Sequence, residues 1–153
     1  MFKTGEMIFG DSLMSSDNSI QRQRRLSNLF NSESRCGRTN NFFARLLGRS
    51  NKLHSLPHTV KNGHYLGIRT VALDQIHGSE SRSLDFDYDF HPLDERMLNR
   101  WVSVAQARQN GAILAPVELI IVGNKYFVRD GHHRISVARA IGESFIEAEV
   151  IEW

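Results

Sequence analysis

The sequence predicts one α+β domain with a small mixed β-sheet and two or three packed helices, preceded by a flexible basic arm. Its 153 residues are 41% hydrophobic, which is enough for one modest core. Runs with the two-residue period of strands alternate with runs at the 3.6-residue period of helices. A stretch rich in Ser, Asn, Gln and Arg precedes them, with too few apolar side chains to offset the entropy of ordering the chain.

Residues 1–60 form the predicted arm and residues 63–153 the predicted domain. The arm carries nine Lys and Arg against four Asp and Glu, so its net charge is +5, whereas the remainder carries −3. We expect the arm to be largely disordered, with short helices at residues 20–30 and 42–47 that form only when docked. Its Arg and Phe residues could hold nucleic acid through phosphate contacts and stacking. A solubilising arm, or one that docks on a protein, is at least as well supported.

Several protein classes are disfavoured by the composition. No stretch approaches the ~20 apolar residues of a membrane span, so no membrane partner is expected. The first residues lack a signal-peptide pattern. Cys36 is the single cysteine and cannot form an internal disulfide. These features favour a cytoplasmic protein.

The first half of the domain is predicted to contain one strand, a polar loop and one helix, in that order. Leu66, Ile68, Val71 and Leu73 predict a strand over residues 66–73. A polar loop is expected over residues 78–90, where Asp alternates with Phe and Tyr. Helical spacing of apolar residues predicts a helix over residues 93–108.

The second half predicts a hairpin, a helix and a last strand. Residues 117–122 and 125–129 are rich in β-formers and are separated by Gly-Asn, a two-residue hairpin signal. A helix is expected from His132 to Ile141, ended by Gly142. The final strand, residues 145–151, is expected to have one polar side.

The junction Asp130-Gly131-His132-His133-Arg134 is the most informative stretch for function. It predicts a strand, a glycine turn and a helix start, a geometry that presents free N–H groups to an anion. Gly131 allows close backbone approach, Arg134 offers a forked donor, and the histidines can donate or move a proton. The alternative is that Asp130 only caps a solvated first turn. Spacing alone does not decide between the two.

This part of the chain resembles the ParB/sulfiredoxin-like superfamily, which includes the "ParB-like nuclease" domain. In sulfiredoxins the matching motif reads Gly-Cys-His-Arg, and in chromosome-partitioning ParB proteins it reads Gly-Glu-Arg-Arg. Kinases acting on free serine use Asp-Gly-His-His-Arg, which residues 130–134 match letter for letter. The resemblance covers roughly residues 67–153 and leaves residues 1–60 unexplained.

The resemblance implies a domain that binds nucleotide phosphates, with ATP, ADP or CTP as ligand and Mg²⁺ as an accompanying ion. It leaves open whether the protein is an enzyme, in which case a phosphotransferase or NTPase is expected. The residues implied in catalysis are Asp130 and His133. Those implied in phosphate binding are Gly131, His132, His133, Arg134 and Arg82.

The departures from the family matter equally. Sulfiredoxin reductase chemistry needs a thiolate where this chain has His132, so that activity is not expected. Asp85 is retained as a candidate Mg²⁺ ligand, although an extended segment with its carboxylates in solvent explains the alternating Asp residues equally. Zinc and heme have no support. The alternative function is a non-catalytic regulatory module that binds nucleic acid or protein through the arm.

Overall fold

Six strands form one mixed sheet in the computed structural model, which describes residues 10–56 and 62–153, with side chains from residue 18 onward. The elements in chain order are α1 (Gly10–Leu46), β1 (His54–Ser55), β2 (His64–Ala72), β3 (Ile76–Ser79), α2 (Leu98–Gln109), β4 (Val117–Val122), β5 (Lys125–Asp130), α3 (His132–Ala140) and β6 (Phe145–Glu152). Short 3₁₀ turns at Leu73–Gln75 and Glu95–Met97 precede β3 and α2. The predicted α+β class, with a small mixed sheet and packed helices, is confirmed.

The strand order in the sheet is β1-β3-β5-β4-β6-β2. Neighbours are parallel at β1–β3, β3–β5 and β4–β6, and antiparallel at β5–β4 and β6–β2. The predicted hairpin joins β4 to β5, and Gly123 at its turn has φ of 61°, a value that glycine adopts without strain. The second strand of this hairpin, β5, is followed directly by α3.

The core confirms the predicted burial pattern of the last strand. Ile146, Ala148 and Val150 are buried, whereas Glu147 on the opposite side is exposed. Strand β4 contributes a more continuous buried run, as expected for a strand flanked on both sides within the sheet. Both α2 and α3 present buried apolar residues, and the two helices contact each other directly.

The structure differs from the expected disordered arm, because α1 is one 37-residue helix that contains the first predicted short helix and all but the last residue of the second. Leu26 and Phe30 are buried, and the Phe30 ring lies edge-on to Trp101 of α2 at a centroid distance of 5.7 Å. Composition alone indicated too few apolar residues, but α2 and α3 supply the surface that buries the few present. The predicted arm also includes residues 1–9 and 57–60, which lie outside the described residues.

The packed body also begins earlier in the chain than residue 63. Strand β1 pairs in parallel with β3, and Leu53 and Leu56 on either side of it are buried. A two-residue strand that pairs with a partner more than twenty residues away has no local signal. No helix in the described ranges is long and apolar enough to cross a membrane.

Candidate anion-binding site at the start of α3

Strand β5 passes into α3 through Gly131, whose φ of 101° is in the left-handed region. A Cβ at this position would lie 2.5 Å from Val117 Cγ1, so the turn requires glycine for space as well as for its backbone angle. The first intrahelical bond runs from the Ile135 N–H to the Gly131 carbonyl at 3.0 Å. The backbone N–H groups of residues 131–134, which come before Ile135, have no acceptor four residues earlier within the helix.

A cleft of about 180 Å³ lies in front of this turn. It is lined by residues 130–134, by Arg82 from the loop after β3, by Arg100 and Val104 of α2, and by Leu114 and Ala115. Pockets for drug-sized ligands are typically ≈ 300–1,000 Å³. The cleft is therefore large enough for a phosphate group and too small for a whole nucleotide.

His132 is held inside the protein by a hydrogen bond and a ring contact. Its Nε2 lies 2.7 Å from Ser79 Oγ, and its ring stacks on Phe86 at a centroid distance of 5.9 Å. Burial lowers the pKa of His132 to about 4, and the nearby positive charge of Arg82 contributes to the shift. His132 is consequently neutral at pH 7.

His133 has an unpaired polar atom in a buried position. The residue is 7% exposed, and its Nδ1 is buried without a hydrogen-bond partner. Burial lowers its pKa to about 4, with further lowering by the charges of Arg100 and Arg82. An unsatisfied buried polar atom costs about 1–3 kcal/mol.

The positive charge of the cleft comes from two arginines rather than from the histidines. Arg82 is half exposed, and its nearest carboxylate is Asp85, at 3.7 Å between Nη1 and Oδ2. Arg100 is exposed and close enough to His133 to lower that residue's pKa. Arg100 was not among the residues predicted from the sequence. Arg100 and Val104 are four residues apart and therefore lie on the same face of α2, the face that lines the cleft. This spacing is the sequence feature from which Arg100 could have been predicted.

Arg134 is largely engaged with the protein's own atoms. Its Nη1 donates to the carbonyls of Ala115 at 2.5 Å and Pro116 at 2.9 Å, and its Nη2 donates to Asp130 Oδ2 at 2.7 Å. Arg134 thus fastens the segment before β4, which forms one wall of the cleft, to α3. The Asp130 side chain is 63% exposed at the rim, and the Arg134 guanidinium balances its charge.

Asp85, the candidate Mg²⁺ ligand, lies against Arg82, a cation that competes with a metal ion for the same carboxylate. The group of three potential metal ligands found in the described ranges is Asp87, Asp89 and His91, and Asp85 does not belong to it. Asp87 is fully buried and accepts hydrogen bonds from Asn51 and His91, which indicates a structural role.

The chain was compared with known proteins at the levels of sequence and structure. No protein-family model matches it, and no curated protein matches it. Among solved structures, a sulfiredoxin from Arabidopsis thaliana is similar, with 17% sequence identity and a TM-score of 0.44 over 56% of this chain and 85% of that chain. The single cysteine of this chain, Cys36, lies exposed on α1 and does not line the cleft at the start of α3.

Proposed function

We propose that the cleft at the start of α3 binds a phosphate group of a nucleoside di- or triphosphate, as expected for a domain of the ParB/sulfiredoxin-like kind. The observation that carries the proposal is the convergence of Arg82 and Arg100 on the first turn of α3 in one cleft, whose lining carboxylate, Asp130, is already paired with Arg134. A bound oxyanion supplies the negative charge that this arrangement lacks.

Charge supports this assignment. Arg82 and Arg100 line the cleft, and the carboxylate in its lining, Asp130, is balanced by Arg134. The free N–H groups and the positive end of α3 add to the positive potential at the same point. The net field therefore favours an anion over a cation or a neutral ligand.

Size defines how much of the ligand is enclosed. A volume of about 180 Å³ accommodates a phosphate or pyrophosphate group, so the ribose and base extend beyond the cleft. Val104, Leu114 and Ala115 form its apolar side and offer a surface for part of the sugar. We therefore expect ATP, ADP and CTP to bind with similar affinity.

The neutral histidines predict a proton effect on binding. An anion beside His132 and His133 favours their protonated forms, so ligand binding raises pKa values that burial holds at about 4. Protons are then taken up on binding, and affinity increases as the pH falls from 7 towards 5.

Phosphoryl transfer or hydrolysis is a second, finer proposal. Asp130 lies at the rim with its carboxylate exposed, where it can orient an acceptor hydroxyl or a hydrolytic water, and His133 can donate a hydrogen bond to the transferred group. Incubation with labelled ATP and free serine tests this proposal. Transfer or hydrolysis that is equal in wild type and Asp130→Asn would contradict it.

Calorimetric titration with pyrophosphate, ADP, ATP and CTP, each with and without Mg²⁺, tests the binding proposal. Arg82→Gln and Arg100→Gln should each weaken binding roughly 10- to 100-fold, the usual cost of one charged hydrogen bond. Arg69→Gln, which removes an exposed arginine from β2, is the charge-matched control and should bind as wild type does. Absence of binding by wild type, or equal binding by all three variants, would refute the proposal.

A further inference from the structure

A groove of about 650 Å³ lies at the C-terminal end of α1. Its lining includes four cationic side chains and one aromatic ring, together with Asn and Ser side chains, and contains no acidic residue among those described. The four cations are Arg38, Arg45, Arg49 and Lys52, and the ring is Phe42. We call this surface the α1-end groove.

The aromatic residues at this groove are unusually exposed for residues of their size. Phe42 is 64% exposed and the adjacent Phe43 is 58% exposed, with their rings edge-to-face at 5.8 Å. Phe30 on the same helix is fully buried. The packing that holds α1 against α2 therefore does not use the two exposed rings.

Three of the four cations are also available for a partner. Arg38 pairs with Glu95 at 3.1 Å, whereas Arg45, Arg49 and Lys52 have no ion pair to an acidic residue in the described ranges. Arg45 lies in the last helical turn, where a cation complements the helix dipole. The helix dipole does not explain the positions of Arg49 and Lys52, because both follow the end of the helix. It also does not explain why the aromatic rings are exposed.

We propose that the α1-end groove binds single-stranded nucleic acid. Closely spaced cations match the repeating phosphates, and exposed rings provide stacking platforms for unpaired bases. Asn41, a polar side chain between them, can hydrogen-bond base edges. The volume of the groove, about 650 Å³, accommodates a base and part of the sugar-phosphate chain. This inference does not depend on the proposed function, because the two surfaces share no lining residue.

Fluorescence anisotropy with labelled dT12 and rU12 oligonucleotides, between 50 and 200 mM salt, tests the proposal on the full chain. Arg45→Gln/Arg49→Gln should weaken binding roughly tenfold and reduce the salt slope by about 1.4, since each lost phosphate contact on a single strand contributes about 0.7. Phe42→Ala should weaken binding about fivefold or more without changing the slope. Duplex DNA should bind more weakly than dT12, because its bases are unavailable for stacking.

The matched control is Arg24→Gln/Arg25→Gln, which removes the same two charges from exposed positions on the same helix, about 30 Å away. It should stay within twofold of wild type. Equal losses in both double variants, no oligonucleotide binding by wild type, or binding only to anionic lipid vesicles would each overturn the proposal. Self-association that is abolished by Phe42→Ala, without oligonucleotide binding, would instead identify the groove as a contact between copies of this chain.

Discussion

Ser79 Oγ lies 2.7 Å from His132 Nε2 and also accepts the backbone N–H groups of Ser81, at 3.2 Å, and Arg82, at 2.9 Å. With two N–H groups directed at this oxygen, its own hydrogen is the one available to His132 Nε2. The imidazole is then neutral and carries its hydrogen on Nδ1. One buried hydroxyl thereby joins β3, the loop that carries Arg82, and the first turn of α3.

The buried histidines predict a loss of stability in acid. Their folded-state pKa values of about 4 lie below the ordinary value of 6.5, so the unfolded chain binds more protons between these limits. The contribution of these two histidines to stability is fully present above pH 6.5 and is lost as the pH falls towards 4, by on the order of 3 kcal/mol for each histidine. Urea unfolding at pH 7, 5.5 and 4.5 measures this dependence.

His132→Gln and His133→Gln should each flatten that pH dependence, because the group that takes up the proton on unfolding is gone. His64→Gln is the control, since His64 is exposed on β2 and its replacement removes no buried group. A wild-type slope that survives both substitutions would contradict the buried, neutral state of the two rings.

Gly131→Ala should destabilise the protein more than Gly142→Ala. Both glycines have positive φ, at 101° and 82°, so both substitutions carry backbone strain of about 1 kcal/mol. A Cβ at 142 meets nothing within 4 Å, whereas one at 131 collides with Val117. Overpacking should add about 1–3 kcal/mol at residue 131 alone, measured by urea unfolding. Equal losses would show that the turn has room for a side chain.

Phe30→Ala and Phe43→Ala test whether α1 is part of the folded body. Phe30 is fully buried against Trp101, so its truncation should lower the free energy of unfolding by about 3–5 kcal/mol. Phe43 is 58% exposed on the same helix, and its truncation should change stability by no more than about 0.5 kcal/mol. Small effects of both substitutions would contradict the packing of α1 on the folded body and would support the disordered arm that the composition predicts.

His91 connects α1 to the segment after β3. Its Nδ1 lies 2.9 Å from the buried Asp87 Oδ2, and its Nε2 lies 3.5 Å from Glu33 Oε2 on α1. The hydrogen bond to Asp87 is the main cause that raises the pKa of His91, and the charges of Asp87 and Glu33 raise it further. The stabilisation by protonated His91 is therefore present below pH 6.5 and is lost as the pH rises through the raised value.

Glu33→Gln should accordingly lower the free energy of unfolding by about 1 kcal/mol at pH 6 and by much less at pH 9. Glu95→Gln is the matched control, because Glu95 also links to α1, through Arg38, whose charge does not change in this range. Its effect should be small and equal at both pH values. Equal effects of Glu33→Gln at pH 6 and pH 9 would contradict the link through protonated His91.

The parts of the fold that the sequence predicts well are those with local signals. The β4–β5 hairpin, the turn at Gly131 and the buried face of β6 each follow from residues close together in the chain. Strands β1 and β3 were not predicted, because they are short and are stabilised by parallel partners distant in sequence. The docking of α1 was missed for a related reason, since its apolar surface is small and is buried only by α2 and α3.

The sequence predicts the strand-glycine-helix junction at Gly131 but not the charge states of the residues around it. The residue types of the junction indicate an anion site, and the structure places Arg82 beside it. The charge states depend on tertiary surroundings that a local pattern does not contain. Burial against Phe86 makes both histidines neutral, and Arg134 is engaged by carbonyls and Asp130. Arg100 reaches the cleft because α2 packs against α3.

The central claim is that a nucleotide phosphate binds at the start of α3. Two-dimensional ¹H–¹⁵N NMR during titration with ADP tests it most directly, because it locates the ligand on the chain. The largest shifts are predicted at the backbone amides of Gly131, His132 and His133, and Arg100→Gln should require a roughly 10- to 100-fold higher ADP concentration to produce them. Shifts confined to other residues, such as those of the α1-end groove, or no shifts at saturating ADP, would contradict the claim.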